Sequence, residues 1–258
     1  MNARGWRRIT VLALTGLLTP VLAHAQSGFL FRSPVASFHL RGGLDVARAN
    51  SDIFEEATST FTLDKSDFRA PAFNGELGIR VTDHLDAVLG VGFSRTSQWS
   101  EYRHFVDLDD LPIEQVTSLT RVPITASARY YLVPPGRQLG RFAWVPNRLA
   151  PYVGGGVGIM WHRFEQEGDF IDFDSDMEVF TTEVSNDGWA PVAHAFGGLE
   201  LALGSRYALN LDGRYTWANA QMDRAVFRCD AEFGCYDDID LSGFQLTLGF
   251  VIRIEGVQ

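Results

Sequence analysis

The sequence predicts an all-β fold: an eight-stranded, antiparallel, up-and-down β-barrel that crosses a membrane. Eight segments alternate residue by residue between an apolar register and a register that carries charges. Each segment has about nine to twelve residues, the length that a tilted strand needs to cross the hydrocarbon of a bilayer. The connections between the segments alternate in length, as they do in transmembrane barrels.

The alternation is clearest in the last segment, residues 243–254. Its apolar register reads Phe244, Leu246, Leu248, Phe250, Ile252 and Ile254. Period-two alternation is the pattern of a β-strand whose two faces meet different surroundings. The eight predicted strands are 36–46, 73–81, 85–93, 121–132, 152–161, 192–203, 207–218 and 243–254.

The connections predict which end of the barrel is which. Two of the three even-numbered connections are tight turns, 82–84 and 204–206, and the third contains Pro134-Pro135-Gly136. The odd-numbered connections are all long: 47–72, 94–120, 162–191 and 219–242. Short turns on the periplasmic side and long extracellular loops are typical of outer-membrane barrels. Because the strand number is even, both termini are expected in the periplasm.

Residues 1–25 are predicted to be a secretory signal peptide, which leaves 26–258 as one barrel domain. Three arginines, an apolar stretch and an A-x-A cleavage site follow each other: Arg4, Arg7, Arg8, 9–22 and Ala23-His24-Ala25. A transmembrane helix is the alternative, but the apolar stretch is short and interrupted. The mature chain has about 233 residues, and its formal charge falls from -10 to about -13. Such acidity argues against nucleic acid as a partner.

The charged register is expected to face the lumen. None of the 45 apolar-register positions is charged, although the chain average of 21% would place about nine charges there. Turning the other register to the lipid would cost on the order of 20 kcal/mol, more than the stability of a typical fold. The eleven lumen charges are Arg41, Asp45, Glu76, Arg80, Asp86, Arg121, Arg129, Glu200, Asp212, Arg214 and Arg253.

A soluble eight-stranded barrel with its apolar face inside is the main alternative. The distribution of glycine weighs against it, because ten glycines lie in the charged register and five in the apolar one. A narrow barrel needs its small residues inside. Five aromatic residues also lie towards strand ends, as in an interfacial girdle: Tyr130, Trp161, Tyr207, Tyr215 and Trp217.

The chain resembles the small outer-membrane β-barrel family, with its OmpA/OmpX-type and OmpW-type members, over nearly the whole mature sequence. The segments that carry the resemblance are 129–132 (Arg-Tyr-Tyr-Leu), 151–158 (Pro-Tyr-Val-Gly-Gly-Gly-Val-Gly) and 243–254. The resemblance implies contact with outer-membrane lipid and lipopolysaccharide, and insertion by the barrel-assembly machinery. Members often end on an aromatic residue that this machinery recognises, whereas Phe250 is followed here by eight more residues.

The six arginines and five carboxylates of the lumen are nearly balanced. Because an unpaired buried charge costs several kcal/mol, we expect a network of arginine–carboxylate bonds that plugs the barrel. A water-filled pore with the same charges solvated is the alternative, but eight strands leave little room for a channel.

The long third loop carries a weak candidate for a metal site. Five carboxylates have the ligand spacing of a twelve-residue calcium loop: Asp172, Asp174, Asp176, Glu178 and Glu183. The sixth position should be glycine, and here it is Met177. We therefore expect a solvated acidic loop or a hairpin extension, and neither a metal nor a cofactor.

Cys229 and Cys235 are the only cysteines, and an even pair in an exported chain predicts a disulfide. Two free thiols are the alternative. The bond would close a small ring in the fourth long loop. The ring would serve as a brace for that loop or as a binding knob, and the sequence does not separate the two.

The composition and motifs favour a monomeric barrel with a structural or surface-interaction role. Passage of small solutes or hydrophobic molecules, as in OmpW-type porin-like barrels, is the alternative. A lipid-modifying enzyme is disfavoured, because we expect no catalytic serine–histidine pairing for the histidines His39, His84, His104, His162 and His194.

Overall fold

The computed structural model describes residues 30, 32–107, 109–140, 143–172, 178–222 and 238–255. In chain order its elements are β1 (Pro34–Ala47), helix α1 (Asp52–Thr60), a 3-10 turn (Lys65–Phe68), β2 (Arg69–Arg80), β3 (Leu85–Val106), β4 (Pro112–Tyr131), β5 (Gly136–Leu139), β6 (Ala143–Pro146), β7 (Leu149–Asp172), β8 (Glu178–Ala202), β9 (Tyr207–Gln221), β10 (Asp238–Asp240) and β11 (Gly243–Glu255). Eight of the strands form a closed antiparallel ring, in which β11 pairs with β1. The predicted fold class is confirmed.

The apolar register lies on the outside of the ring. Leu40, Leu248 and Val157 are each about 60% exposed, at 61%, 59% and 65%. In β9 the outward aromatic residues Tyr207 and Trp217 are ten residues apart. At a rise of about 3.3 Å per residue and a tilt of about 40°, ten residues span about 25 Å, the height of the apolar band of a membrane barrel. The outer surface therefore has the chemistry and the height of a lipid-facing belt.

Four strands are longer than predicted. β3 continues to Val106, β4 begins at Pro112, and β7 and β8 pair as far as Asp172 and Glu178. For β3 and β4 we predicted a loop, and that part was wrong. For β7 and β8 a hairpin extension was one of the two forms expected of the third loop, and it is the form observed. The backbone ladder continues beyond the belt, but its outward side chains are mixed or polar there, so the alternation that marks the membrane segments disappears. The extensions raise the barrel wall at what we call the long-loop end.

An apolar cap fills the barrel at the long-loop end. Helix α1, which the sequence analysis missed, buries Ile53, Phe54 and Ala57 inside the raised wall. Phe54 packs edge-to-face on Phe68 and Phe164, with ring centroids 4.8 and 5.9 Å apart. No helix among the described residues is long and apolar enough to span a membrane. The buried apolar side chains of the cap lie at the long-loop end of the lumen.

A hairpin covers the opposite end, which we call the short-turn end. Strands β5 and β6 form this hairpin within the connection between β4 and β7. Trp144 of β6 is only 1% exposed, it pairs with Leu30, and its ring lies 5.3 Å from the guanidinium carbon of Arg253. The aromatic ring of Trp144 therefore packs against the lumen side chains at the short-turn end.

Candidate functional site

The eleven charges of the inward register all lie inside the ring. Their side chains are at most 13% exposed, and each forms an ion pair with another member of the set. Successive side chains of a strand point to opposite faces of the sheet, and each of these charges belongs to the register opposite the lipid-facing one. Which charges meet depends on the curvature of the ring.

The central cluster, defined as Arg41, Glu76, Arg129, Asp212 and Arg214, occupies the middle of the lumen. Glu76 accepts hydrogen bonds from all three arginines, including Arg129 Nη2 at 2.5 Å from Oε2. The arginines come from β1, β4 and β9 and converge on a single carboxylate of β2. A carboxylate with its lone pairs directed at three guanidinium groups is a strong crosslink between strands that are distant in sequence.

Asp212 is the second carboxylate of the central cluster. Its Oδ1 lies 3.7 Å from Arg214 Nε, and its Oδ2 lies 3.9 Å from Arg41 Nη1. Tyr152 donates its hydroxyl to Asp212 Oδ2 at 2.8 Å and accepts from Asn210 Nδ2 at 2.8 Å. Asp212 Oδ2 therefore has a neutral hydrogen-bond donor in Tyr152, and Asn210 orients the Tyr152 hydroxyl.

Three further ion pairs lie above and below the central cluster. Towards the long-loop end, Arg121 Nη2 is 2.8 Å from Asp45 Oδ2. Towards the short-turn end, the pairs are Arg80–Asp86 at 2.5 Å and Arg253–Glu200 at 3.1 Å. Ionic layers therefore cross the lumen along most of its length.

Aromatic side chains fill the space between the ion pairs. The guanidinium carbon of Arg129 lies 4.9 Å from the ring of Tyr152, and that of Arg214 lies 4.9 Å from Phe196. Tyr131 donates to Glu200 Oε1 at 2.6 Å. The sequence analysis did not include these rings in the site. They occupy the same alternating positions as the charges, and this pattern could have identified them as inward-facing.

Two histidines lie in the lumen beside the ion pairs. His39 is fully buried and lies 2.8 Å from Arg129 Nη1, so it accepts that hydrogen bond. The structure contains two serine–histidine pairs that the sequence analysis did not expect. His194 Nε2 lies 2.9 Å from Ser127 Oγ, and His39 Nε2 lies 3.0 Å from Ser37 Oγ. Among the described residues, no carboxylate is hydrogen-bonded to either histidine. A serine and a histidine without an acid do not form a catalytic triad.

A side pocket of about 820 Å³ lies on the outside of the barrel near the long-loop end. It occurs where β8 and β9 separate, since their pairing stops at Val192 and Ala218. The outward-facing Val157, Ala193 and Trp217 line its membrane side, and polar residues line its other side: Arg48, Asn50, Asp52, Asn219, Asp238 and Asp240.

Two predicted features fall largely outside the described residues. Cys229 and Cys235 lie outside them, and so do Asp174 and Asp176 of the calcium-loop candidate. Glu183 is described, and its Oε1 accepts from Arg163 Nη2 at 3.3 Å. Within the described ranges, no group of three or more histidine and acidic side chains could hold a metal ion.

A comparison with protein-family models gives a match over residues 9–251, to the family described as "Outer membrane protein beta-barrel domain". The chain belongs to this family. Membership places the protein in the outer membrane. No curated protein sequence matches the chain.

Solved structures of other outer-membrane barrels are similar to this member of the family at low sequence identity. Neisserial surface protein A is 10% identical, with a TM-score of 0.47 over 85% of this chain and 96% of that one. OprG from Pseudomonas aeruginosa is 14% identical, with a TM-score of 0.45 over 88% and 100%. Ail, the attachment invasion locus protein of Yersinia pestis, is 12% identical, with a TM-score of 0.41 over 84% and 99%.

Proposed function

We propose that this outer-membrane barrel is non-conducting, with a plugged lumen and a structural or surface-interaction role. The observation that carries the proposal is the central cluster, in which three arginines from three strands share Glu76. The five side chains of this cluster cross the full width of the lumen. An ion or polar solute moving along the axis would have to separate them.

Separating these charges is costly. Breaking one buried ion pair leaves an uncompensated charge and costs about 3–5 kcal/mol. A solute on the axis would have to break several such pairs in succession, because the Arg121–Asp45 and Arg253–Glu200 pairs lie beyond the central cluster. Polar residues in this lumen therefore support a plug rather than a wet channel.

The two ends of the barrel support the same function. The apolar cap around Phe54 covers one end, and Trp144 covers the other. In this proposal the long-loop end faces the outside of the cell, both termini lie in the periplasm, and the chain is a monomer inserted by the barrel-assembly machinery. The outer surface contacts lipid and lipopolysaccharide, and Cys229 and Cys235 brace the fourth loop.

The side pocket favours a second candidate function, the capture and passage of hydrophobic molecules from the side. It opens at the level of Trp217, and its membrane side is apolar. Directly inward lies the apolar cap, with Met160, Val192 and Ala218 buried. A hydrophobic molecule could enter here without crossing the ionic layers.

Reconstitution into lipid bilayers distinguishes these functions. We expect no sustained conductance of porin size in planar bilayers and no swelling of proteoliposomes in small sugars, whereas a general porin reconstituted in parallel shows both. A stable open channel would overturn the plugged barrel. The second candidate instead predicts that an apolar fluorescent probe enters the proteoliposomes, and that Ala193→Trp, which fills the side pocket, blocks this entry.

A further inference from the structure

A small internal cavity lies between the central cluster and the apolar cap. Its volume is about 30 Å³, and its lining includes Arg214, His194, Arg121, Asp45, Thr125 and Thr216. A cavity that holds one water molecule needs about 10–15 Å³, so this one has room for about two waters or one monatomic ion. The polar lining indicates an occupied cavity rather than an empty one.

Among the eleven described charges of the inward register, the arginines outnumber the carboxylates by one. The excess lies in the central cluster, where three arginines face Glu76 and Asp212. His39 accepts a hydrogen bond from Arg129, so it adds no charge. A buried charge without a counterion is strongly unfavourable.

Two hydrogen-bond donors among the side chains that line the cavity have no acceptor in the described structure. Arg214 is 8% exposed, and its Nε has no hydrogen-bond acceptor, since the carboxylate oxygen Asp212 Oδ1 is 3.7 Å away. His194 is 4% exposed, and its Nδ1 has no partner, while its Nε2 lies 2.9 Å from Ser127 Oγ. When the serine hydroxyl donates to Nε2, Nδ1 carries the proton. Two N–H groups then require an acceptor.

The one carboxylate in the lining does not supply it. Asp45 Oδ2 lies 2.8 Å from Arg121 Nη2, so its charge is already neutralised by an arginine outside the central cluster. The Asp45–Arg121 pair is neutral as a unit. The excess charge on the Arg214 side of the cavity remains.

We propose that this cavity is a binding site for one small monovalent anion of the size of chloride. The anion would accept hydrogen bonds from Arg214 Nε and His194 Nδ1 and would neutralise the lumen. A water molecule could accept the same hydrogen bonds, but it would leave the excess charge uncompensated. The site is independent of whether the barrel conducts, because it depends on the charges and the cavity alone.

Crystals of the wild-type protein grown in bromide test the site directly. We expect an anomalous bromide peak inside the cavity, within hydrogen-bond distance of Arg214 and His194. Bromide peaks confined to the protein surface, with water or nothing in the cavity, would overturn the proposal. The measurement needs no variant, so a folding defect cannot obscure it.

Unfolding in detergent at constant ionic strength gives a second test. Chloride and bromide should stabilise the protein relative to gluconate, which is too large for the cavity. At an anion concentration 100 times the dissociation constant, linkage raises the folded-to-unfolded ratio about 100-fold. Arg214→Gln removes the excess charge and should abolish the halide dependence, whereas Arg206→Gln, on the exposed short turn, should retain it. Equal wild-type stability in halide and gluconate would contradict the site.

Discussion

We expect Glu76→Gln to destabilise the barrel by about 3–5 kcal/mol, the range measured when one partner of a buried ion pair is removed. Glutamine preserves the size of the side chain but removes the charge on which Arg41, Arg129 and Arg214 converge. Asp212 then remains as the one carboxylate of the central cluster, and it pairs with Arg41 and Arg214 but not with Arg129. Urea unfolding in detergent, followed by tryptophan fluorescence, measures the loss.

Glu183→Gln is the matched control. Glu183 also binds an arginine, but its side chain is 52% exposed, and surface ion pairs contribute about 0–1 kcal/mol. The double variant Glu76→Gln/Arg214→Gln should recover part of the lost stability, because it removes one of the arginines that lose Glu76 as a partner. Equal stability of Glu76→Gln and Glu183→Gln would show that the central cluster does not hold the barrel together.

Gly158→Ala should strongly reduce the yield of folded barrel. An added Cβ at Gly158 would lie 2.8 Å from the Thr125 Cα of β4 and closer still to the carbonyl oxygen of Ile124. Both contacts are with backbone, so the neighbouring strand must move. Overpacking of this kind costs about 3 kcal/mol. The folded fraction is measured by the heat-dependent shift of the barrel on electrophoresis.

Gly75→Ala separates this effect from a general intolerance of alanine. Gly75 lies on β2 in the lipid-facing register, and a Cβ there meets nothing within 4 Å. Glycine weakens a strand interior, so this substitution should be neutral or slightly stabilising. If both variants folded equally well, the close approach of β7 and β4 at Gly158 would be wrong.

The fold and the inward register could be predicted from the sequence because the bilayer imposes a strict rule. A charge on the lipid face is so costly that each strand shows its orientation in its own residues, Leu248 beside Thr247 for example. Helix α1 could not be predicted in the same way. It is nine residues long, and its helical form depends on the raised wall into which Phe54 packs.

The partners within the lumen also could not be predicted. Glu76 and Arg214 are 138 residues apart, on β2 and β9, and they meet only because the ring closes. The alternation along a strand shows that a side chain points inward, but it does not show which of the seven other strands that side chain faces. The extensions of β3 and β4 were missed for a related reason, because outside the belt the sequence no longer shows one apolar and one charged face.

We expect lipid to contact the apolar face of the barrel and the charged face to be enclosed. Nuclear Overhauser effects between lipid acyl chains and labelled Leu and Val methyl groups in nanodiscs test it most directly. We predict contacts to Leu40, Leu89 and Leu248, which are 61%, 58% and 59% exposed, and none to Val88 and Val251, which are 3% and 1% exposed. Acyl-chain contacts to the two valines, with the three leucines shielded, would contradict the account.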